Sequence, residues 1–272
     1  MLVDVAKKIY AIFVKTPIQK FHPLFAPSDP CRCDPFLESF KYQSDDVVLV
    51  GYPKSGNTWL RFIMANLINS FLPDSAQEVD WLRKQQIVPT VSKVADAKAQ
   101  PNYDILPPPR ILHSHAVYTE LFPKVIYIMR DGRDVMVSYY YHHKKFANFK
   151  GTFYEYLQSF EHRTAWHEHV NSWIYQNPSA AKMYVVRYED LLQAPQTEVE
   201  KIVQFAGLNC TNAQIKQSIM NSTFNQLRRL EKAKGLGYVK PVNTEIPFIR
   251  KGIEGGWREE FGDKEKEFFK KI

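Results

Sequence analysis

The sequence predicts an α/β fold, a central doubly wound parallel sheet flanked by helices, and three observations carry that expectation. Short unbroken apolar runs recur along the chain, helical apolar spacing follows them, and no hairpin signal joins one run to the next. The 272 residues, 44% of them hydrophobic, suit one domain spanning 1–272.

The opening stretch, MLVDVAKKIYAIFVKTPIQKF, reads as an amphipathic helix laid over the core. Asp4, Lys7, Lys8 and Lys15 interrupt it before an apolar span of about 20 residues can form, and no secretory cleavage pattern follows. A cytoplasmic protein with no membrane partner is expected. Residues 46–51, DVVLVG, form a strand buried on both faces. A helix from about Thr58 then places Trp59, Phe62, Ile63, Leu67 and Phe71 on one stripe at three- and four-residue spacing. A short strand is expected over 110–113 (RILH). Another, VIYIM at 125–129, runs into Arg130 and a helix begun by Asp131 that carries Val135, Val137 and Ser138. A last strand over 183–186 leads to Arg187 and Tyr188. The stretches 88–109 and 231–247 hold prolines, glycines and polar residues without period and read as lids or ligand-facing loops. In such sheets ligands bind beyond the carboxyl ends of the strands.

A formal charge of +7 fits a binder of polyanions, without separating a nucleotide from nucleic acid or a membrane surface. Cys31, Cys33 and Cys210 form neither a CxxC pair nor a zinc spacing and read as reduced thiols.

Gly51-Tyr-Pro-Lys-Ser-Gly-Asn-Thr58 has the glycine spacing of a Walker-A loop, which points to a P-loop-containing nucleotide-binding type of fold. The lysine that normally precedes the final Ser/Thr is missing. Asn57 stands there, and the cation is Lys54, inside the loop. Backbone N–H groups and the following helix N-terminus still suit phosphate oxygens. An isolated GxxxxG more often only lets the chain turn. Lys54, Ser55, Gly56, Asn57, Thr58 and Trp59, in the order strand, loop, helix, argue for a phosphorylated nucleotide.

The octapeptide YPKSGNTW resembles the 5'-phosphosulfate loop of the cytosolic sulfotransferase family. Arg130 with DGRDVMVSYYYH is similar to that family's 3'-phosphate segment, matching its arginine and its serine, Ser138. FIRKGIEGGW, residues 248–257, resembles the late RKGxxGDW segment and implies that Arg250, Lys251 and Gly252 meet the same 3'-phosphate. Trp59, Tyr188, and Ser222 with Phe224 in NSTFNQL match positions that contact adenine. The resemblance spans most of the chain, from Tyr52 to Trp257. It implies 3'-phosphoadenosine 5'-phosphosulfate (PAPS) as co-substrate, its desulfated form PAP as product, and no need of a metal. The chemistry is coherent, because guanidinium groups make forked, charge-assisted bonds to phosphate and serine adds a neutral donor.

Sulfuryl transfer needs stabilisation of the departing bridge oxygen and a base for the acceptor's proton. Lys54 is the candidate for the first, as a fixed cation aimed at developing charge. His115 is the candidate base: it follows RILH, so it emerges at the sheet edge that bears the loop. His113-Ser-His115 resembles the family's Lys-Thr-His, whose histidine is the general base, and His113 replaces the lysine. If that lysine steadies the transferring group, His113 must do so as a cation or a hydrogen-bond donor. Ser138 is expected to touch the leaving side or restrain Lys54, as its counterpart does.

The histidines at 142, 143, 162, 167 and 169 lack metal-ligand spacing and read as a solvated helix face, so no metal site is expected. Two other readings stay open. A P-loop nucleotide kinase would prefer ATP and magnesium, and a non-catalytic polyanion binder would lose affinity steeply with salt, indifferent to His115→Ala. The acceptor is expected to be a small molecule offering a hydroxyl or an amine, with no nucleic-acid partner. The family's dimer segment has no clear counterpart in REEFGDKEKEFFKKI, which leaves a monomer or weak homodimer.

Overall fold

The structure, a computed structural model, describes residues 35–91, 103, 106–159, 165–175, 182–237 and 240–270. The expected N-terminal helix, Cys31, Cys33, His162 and residues 92–102 of the first long loop lie outside the described residues. Helix α1 (Pro35–Ser39) leads to β1 (Val47–Val50), α2 (Asn57–Asn69), α3 (Trp81–Ile87), β2 (Ile111–Ser114) and β3 (Lys124–Met129). Then come α4 (Gly132–Phe146), α5 (Phe153–Ser159), α6 (Ala165–Ile174) and β4 (Met183–Arg187). α7 (Tyr188–Gln193), α8 (Pro195–Ala206), α9 (Asn212–Asn221), α10 (Phe224–Lys234), a 3₁₀ turn (Gly256–Glu259) and α11 (Asp263–Phe269) follow.

The described strands form one parallel sheet in the order β2-β1-β3-β4. Strand side chains alternate between faces, and here both faces are covered. Val48, Val50 and Tyr127 pack towards Val135 of α4 and Trp173 of α6, whereas Val47, Leu49 and Ile126 pack towards Leu60 and Ile63 of α2 and Ile202 of α8. Each aliphatic side chain so buried contributes about 1.5–3 kcal/mol. The chain leaves β1 for β2 on one side and returns to β3 on the other. The switch point between β1 and β3 is therefore where an open sheet of this kind places its crevice. The loop after β1 and Arg130 after β3 both open there.

At the opposite end, Asp46 is fully buried before β1 and accepts from Arg110 Nε (2.7 Å) and Nη2 (2.6 Å), while Gln43 N donates to it at 2.8 Å.

Several helix starts are closed by side chains. Asp80 caps α3, Asp131 caps α4, and Thr211 with Gln214 forms a capping box on α9. Helix α2 begins after Gly56 without any side-chain cap, which leaves its first N–H groups to an outside acceptor.

Two element expectations need correction. Helix α2 stops at Asn69, whose side-chain amide donates to the Ser75 and Gln77 carbonyls, so the chain turns away and Phe71 is 42% exposed. The loop drawn over 231–247 starts within α10, which runs to Lys234.

Candidate active site

The loop after β1 is held in an uncommon shape. Lys54 has φ 73° and Gly56 φ 104°, the left-handed region that costs a non-glycine residue about 1–3 kcal/mol. A Cβ on Gly56 would also sit 2.6 Å from Tyr188 Cδ2, so glycine is required there twice over. The Tyr52 carbonyl fastens the turn by accepting from Ser55 N (3.1 Å) and Asn57 Nδ2 (2.9 Å). Ser55 Oγ is buried with no hydrogen-bond partner among the described residues.

Beyond the sheet's carboxyl edge lies a cavity of about 320 Å³. On its wall are Lys54, Gly56, Asn57, Thr58 and Trp59 from the loop and α2, with Arg130, Ser138 and Tyr188. His113 and His115 follow from the β2 end, and Phe224, Arg250, Lys251 and Gly252 from the late segment. Arg130 lies over the Tyr188 ring at 4.3 Å and donates to the Ile253 carbonyl at 2.9 Å, while its buried Nε has no partner. Arg250 stacks on Tyr141 at 4.4 Å. Two carboxylates bind the late segment down: Asp134 accepts from Gly255 N and Trp257 N (both 2.8 Å), and Glu231 accepts from Phe248 N (2.6 Å) and Ile249 N (2.9 Å). Gly252 has φ 65°, and a Cβ on it would meet Phe224 Cδ2 at 2.7 Å. Trp59 and Tyr188 meet edge to face with centroids 5.7 Å apart, forming an aromatic corner.

The electrostatics follow from dense positive charge on buried side chains. Burial, then Arg130, then Arg250, lowers Lys54 to about 7. Such a cation gains from any anion placed beside it. Its Nζ lies 4.4 Å from the Phe248 ring centroid. His115 Nδ1 is 2.7 Å from the Gly51 carbonyl. A carbonyl only accepts, so the proton is on Nδ1 and the Nε2 lone pair is free. Burial lowers His115 to about 4, against the opposing Gly51 bond and with the help of Arg61 and Lys54, so the imidazole is neutral at physiological pH. By the same logic His169 Nε2 donates to the His115 carbonyl (3.1 Å) and its Nδ1 accepts from Tyr127 OH (3.0 Å), which anchors the base's backbone.

His113 does not act as a cation. Burial above all, then Arg61, His115 and Lys84, holds it well below 6.5. Its Nδ1 lies 3.0 Å from Thr90 Oγ1 and its Nε2 has no partner among the described residues, so hydrogen bonding is the role left to it.

Other expectations change too. Ser222 is not on the cavity wall: it donates to the Ser218 carbonyl (2.8 Å) and accepts from Asn66 (3.1 Å), tying α9 to α2. His167 and His169 are buried rather than solvated, and His142 lines the cavity. Arg61, His142 and Phe248 are cavity residues that sequence reasoning missed. His142 was signalled by its spacing of four from Ser138, which repeats the face on which Asp134 lies. Among the described residues no cluster of three or more His, Cys, Asp or Glu could hold a metal ion, and no helix is long and apolar enough to cross a membrane.

The neutral histidines make stability depend on pH. Burial is the first cause of lowering at His113, His115, His142, His167 and His169, with folded values of about 4 for His115 and His167 and about 3 for His142 and His169. The unfolded chain takes up these protons below about 6.5, so each site costs up to about 1.4 kcal/mol per pH unit on the way down to its folded value. The histidine contribution is fully present above pH 6.5. The urea-unfolding free energy should fall by at least about 3 kcal/mol between pH 7 and pH 5. A flat profile over that window would contradict the buried, neutral state.

A family model described as "Sulfotransferase domain" matches residues 44–272. Mouse "Sulfotransferase 1 family member D1" is 27% identical over 245 residues, covering 83% of this chain and 81% of the relative. Human "Sulfotransferase 2A1" is 29% identical over 253 residues, covering 86% and 85%. Among solved structures, mouse sulfotransferase SULT7A1 complexed with PAP aligns with a TM-score of 0.62 at 21% identity, over 86% of this chain and 84% of that one. The retinol dehydratase complex with androsterone and PAP gives the same TM-score of 0.62 at 22% identity, over 87% and 83%. With a cationic, glycine-bounded cleft at the β1/β3 switch point and a family match over nearly all the described chain, the protein belongs to the sulfotransferase domain family, and its reaction is PAPS-dependent sulfuryl transfer.

Proposed function

We propose that this chain transfers the sulfuryl group of PAPS to a hydroxyl or amine of a small-molecule acceptor, with His115 as general base and Lys54 at the leaving oxygen. The residues fit the nucleotide. Gly56 and Gly252 border a cradle that a Cβ would fill, Arg130 on its wall has its Nε buried without a partner, and no carboxylate lines the cavity among the described residues. Bound there, PAPS supplies the sulfuryl group and leaves as PAP.

The loop amides and Lys54 take the 5' side, Arg130, Ser138, Arg250, Lys251 and Gly252 the 3'-phosphate, and Trp59, Tyr188 and Phe224 the adenine. Ser222 supports that pocket only through α9. As the acceptor oxygen or nitrogen bonds to sulfur, the bridging S–O bond breaks and its electron pair stays with the nucleotide. The acceptor's proton passes to His115 Nε2. The observation that carries the reading is the Nδ1–H bond from His115 to Gly51, the first residue of the phosphate loop, because it ties the free lone pair of the base to the loop that holds Lys54.

Ligand binding to the folded state tests the nucleotide. At a PAP concentration 100 times its Kd, stability should rise by about 2.7 kcal/mol, a shift of roughly 5–10 °C in Tm. ATP with magnesium should give a smaller shift. An equal or larger response to ATP would move the protein to the kinase reading.

A further inference from the structure

Arg61 lies on α2, one turn beyond the phosphate loop, is 7% exposed, and lines the cavity with His113 and His115. Its Nη2 donates to the Val88 carbonyl (2.5 Å) and to Gln85 Oε1 (2.6 Å), two neutral acceptors that fix the guanidinium plane. Nε is buried without an acceptor, Nη1 makes no hydrogen bond among the described residues, and no described carboxylate forms an ion pair with this side chain.

Buried charges are ordinarily paired, because an isolated one is costly. Here one nitrogen is anchored and the rest are unsatisfied, the arrangement of a guanidinium that awaits an anion. Burial lowers Arg61 only to about 9, so it stays charged at neutral pH. The cations of the cavity differ in what they act on. Lys54 feels Arg130 and Arg250, Arg61 acts on His113, and Arg61 and Lys54 both act on His115. Arg130 and Arg250 sit with the nucleotide's phosphates, and Arg61 and Lys54 are the two cations that act on the base, Arg61 from α2 and Lys54 from the loop.

We propose that Arg61 holds the transferring sulfuryl group from the histidine side of the cavity, supplying the positive charge that His113 does not carry. This rests on the transfer reading above. The group is anionic and passes between the loop and His115, so a cation is needed on each flank of its path: Lys54 serves the bond that breaks, and Arg61 the sulfuryl oxygens throughout. Arg61 exchanges no proton in the step. Neutral His113 adds at most a hydrogen bond beside it.

PAP lacks the sulfuryl group, and that separates a contact to it from a structural role. Arg61→Gln, Arg61→Lys and the double variant Arg61→Met/His113→Lys would be compared with wild type by unliganded Tm, by calorimetric Kd for PAP and for PAPS without acceptor, and by steady-state kinetics. The acceptors would be the fastest from a panel of neutral phenols, alcohols and amines, with carboxylated counterparts. In Arg61→Gln, PAP affinity should stay within about twofold and PAPS affinity fall about tenfold, as for loss of a charged hydrogen bond. Its kcat should fall by about 10²-fold or more. Arg61→Lys and the relocated cation at position 113 should each recover at least about tenfold of that loss, which lost packing would not allow. Equal losses of PAP and PAPS affinity, an unchanged kcat, or an effect confined to KM for carboxylated acceptors would each overturn the proposal. If Arg61→Gln fails to fold, the same PAPS-to-PAP comparison on the two cation-bearing variants decides. Failure of the wild type to bind PAP would instead remove the nucleotide reading itself.

Discussion

His115→Asn should lower turnover by about 10²–10⁴-fold, the usual worth of a positioned general base, while PAP binds within about twofold of wild type. The expectation follows from where the proton sits. Gly51 holds it on Nδ1, so Nε2 is unprotonated at every pH above about 4, where burial and the neighbouring cations have put the imidazole. Turnover should therefore hold as pH falls from 7 towards 5, provided the fold survives, and drop only as pH nears 4. Measuring kcat and PAP affinity on the same variant checks both halves. Retained turnover would remove His115 from the chemistry, and lost PAP affinity would show that it had been holding the nucleotide loop instead.

Arg110→Met should be the most damaging substitution away from the cavity. It leaves Asp46, 0% exposed, with only the Gln43 amide to accept from among the described residues, at the point where β1 enters the sheet. Removing one partner of a buried pair costs about 3–5 kcal/mol, because the other charge stays desolvated. For a chain of this size that is a fall of roughly 6–20 °C in Tm. The double variant Asp46→Leu/Arg110→Met should regain most of it. If the single variant melts within about 2 °C of wild type, water reaches Asp46 and the pair contributes little.

The parallel sheet was legible because its strands are buried on both faces: runs such as VVLV and VIYIM have no polar alternation to confuse them with hairpins. The shape of the loop after β1 was legible because its glycine and asparagine each answer to a local backbone need, as the left-handed Gly56 and the Asn57 bond to Tyr52 illustrate. What stayed hidden depended on packing between distant segments. Arg61 looks like one more helical arginine until Val88 and Gln85 close over it. His142 and His169 look like solvated imidazoles until the late segment and β3 cover them. Ser222 was misplaced for a related reason: a serine at a helix end can serve a ligand or a neighbouring helix, and only the partner across the gap, Asn66, decides.

The carboxylates of Asp134 and Glu231 hold the stretch from Phe248 to Trp257 against α4 and α10 before any anion arrives. Much of the entropic cost of ordering that stretch is thus met during folding, not at the moment of association. A nucleotide entering the cleft finds a preorganised rim, and more of its contact energy remains for affinity.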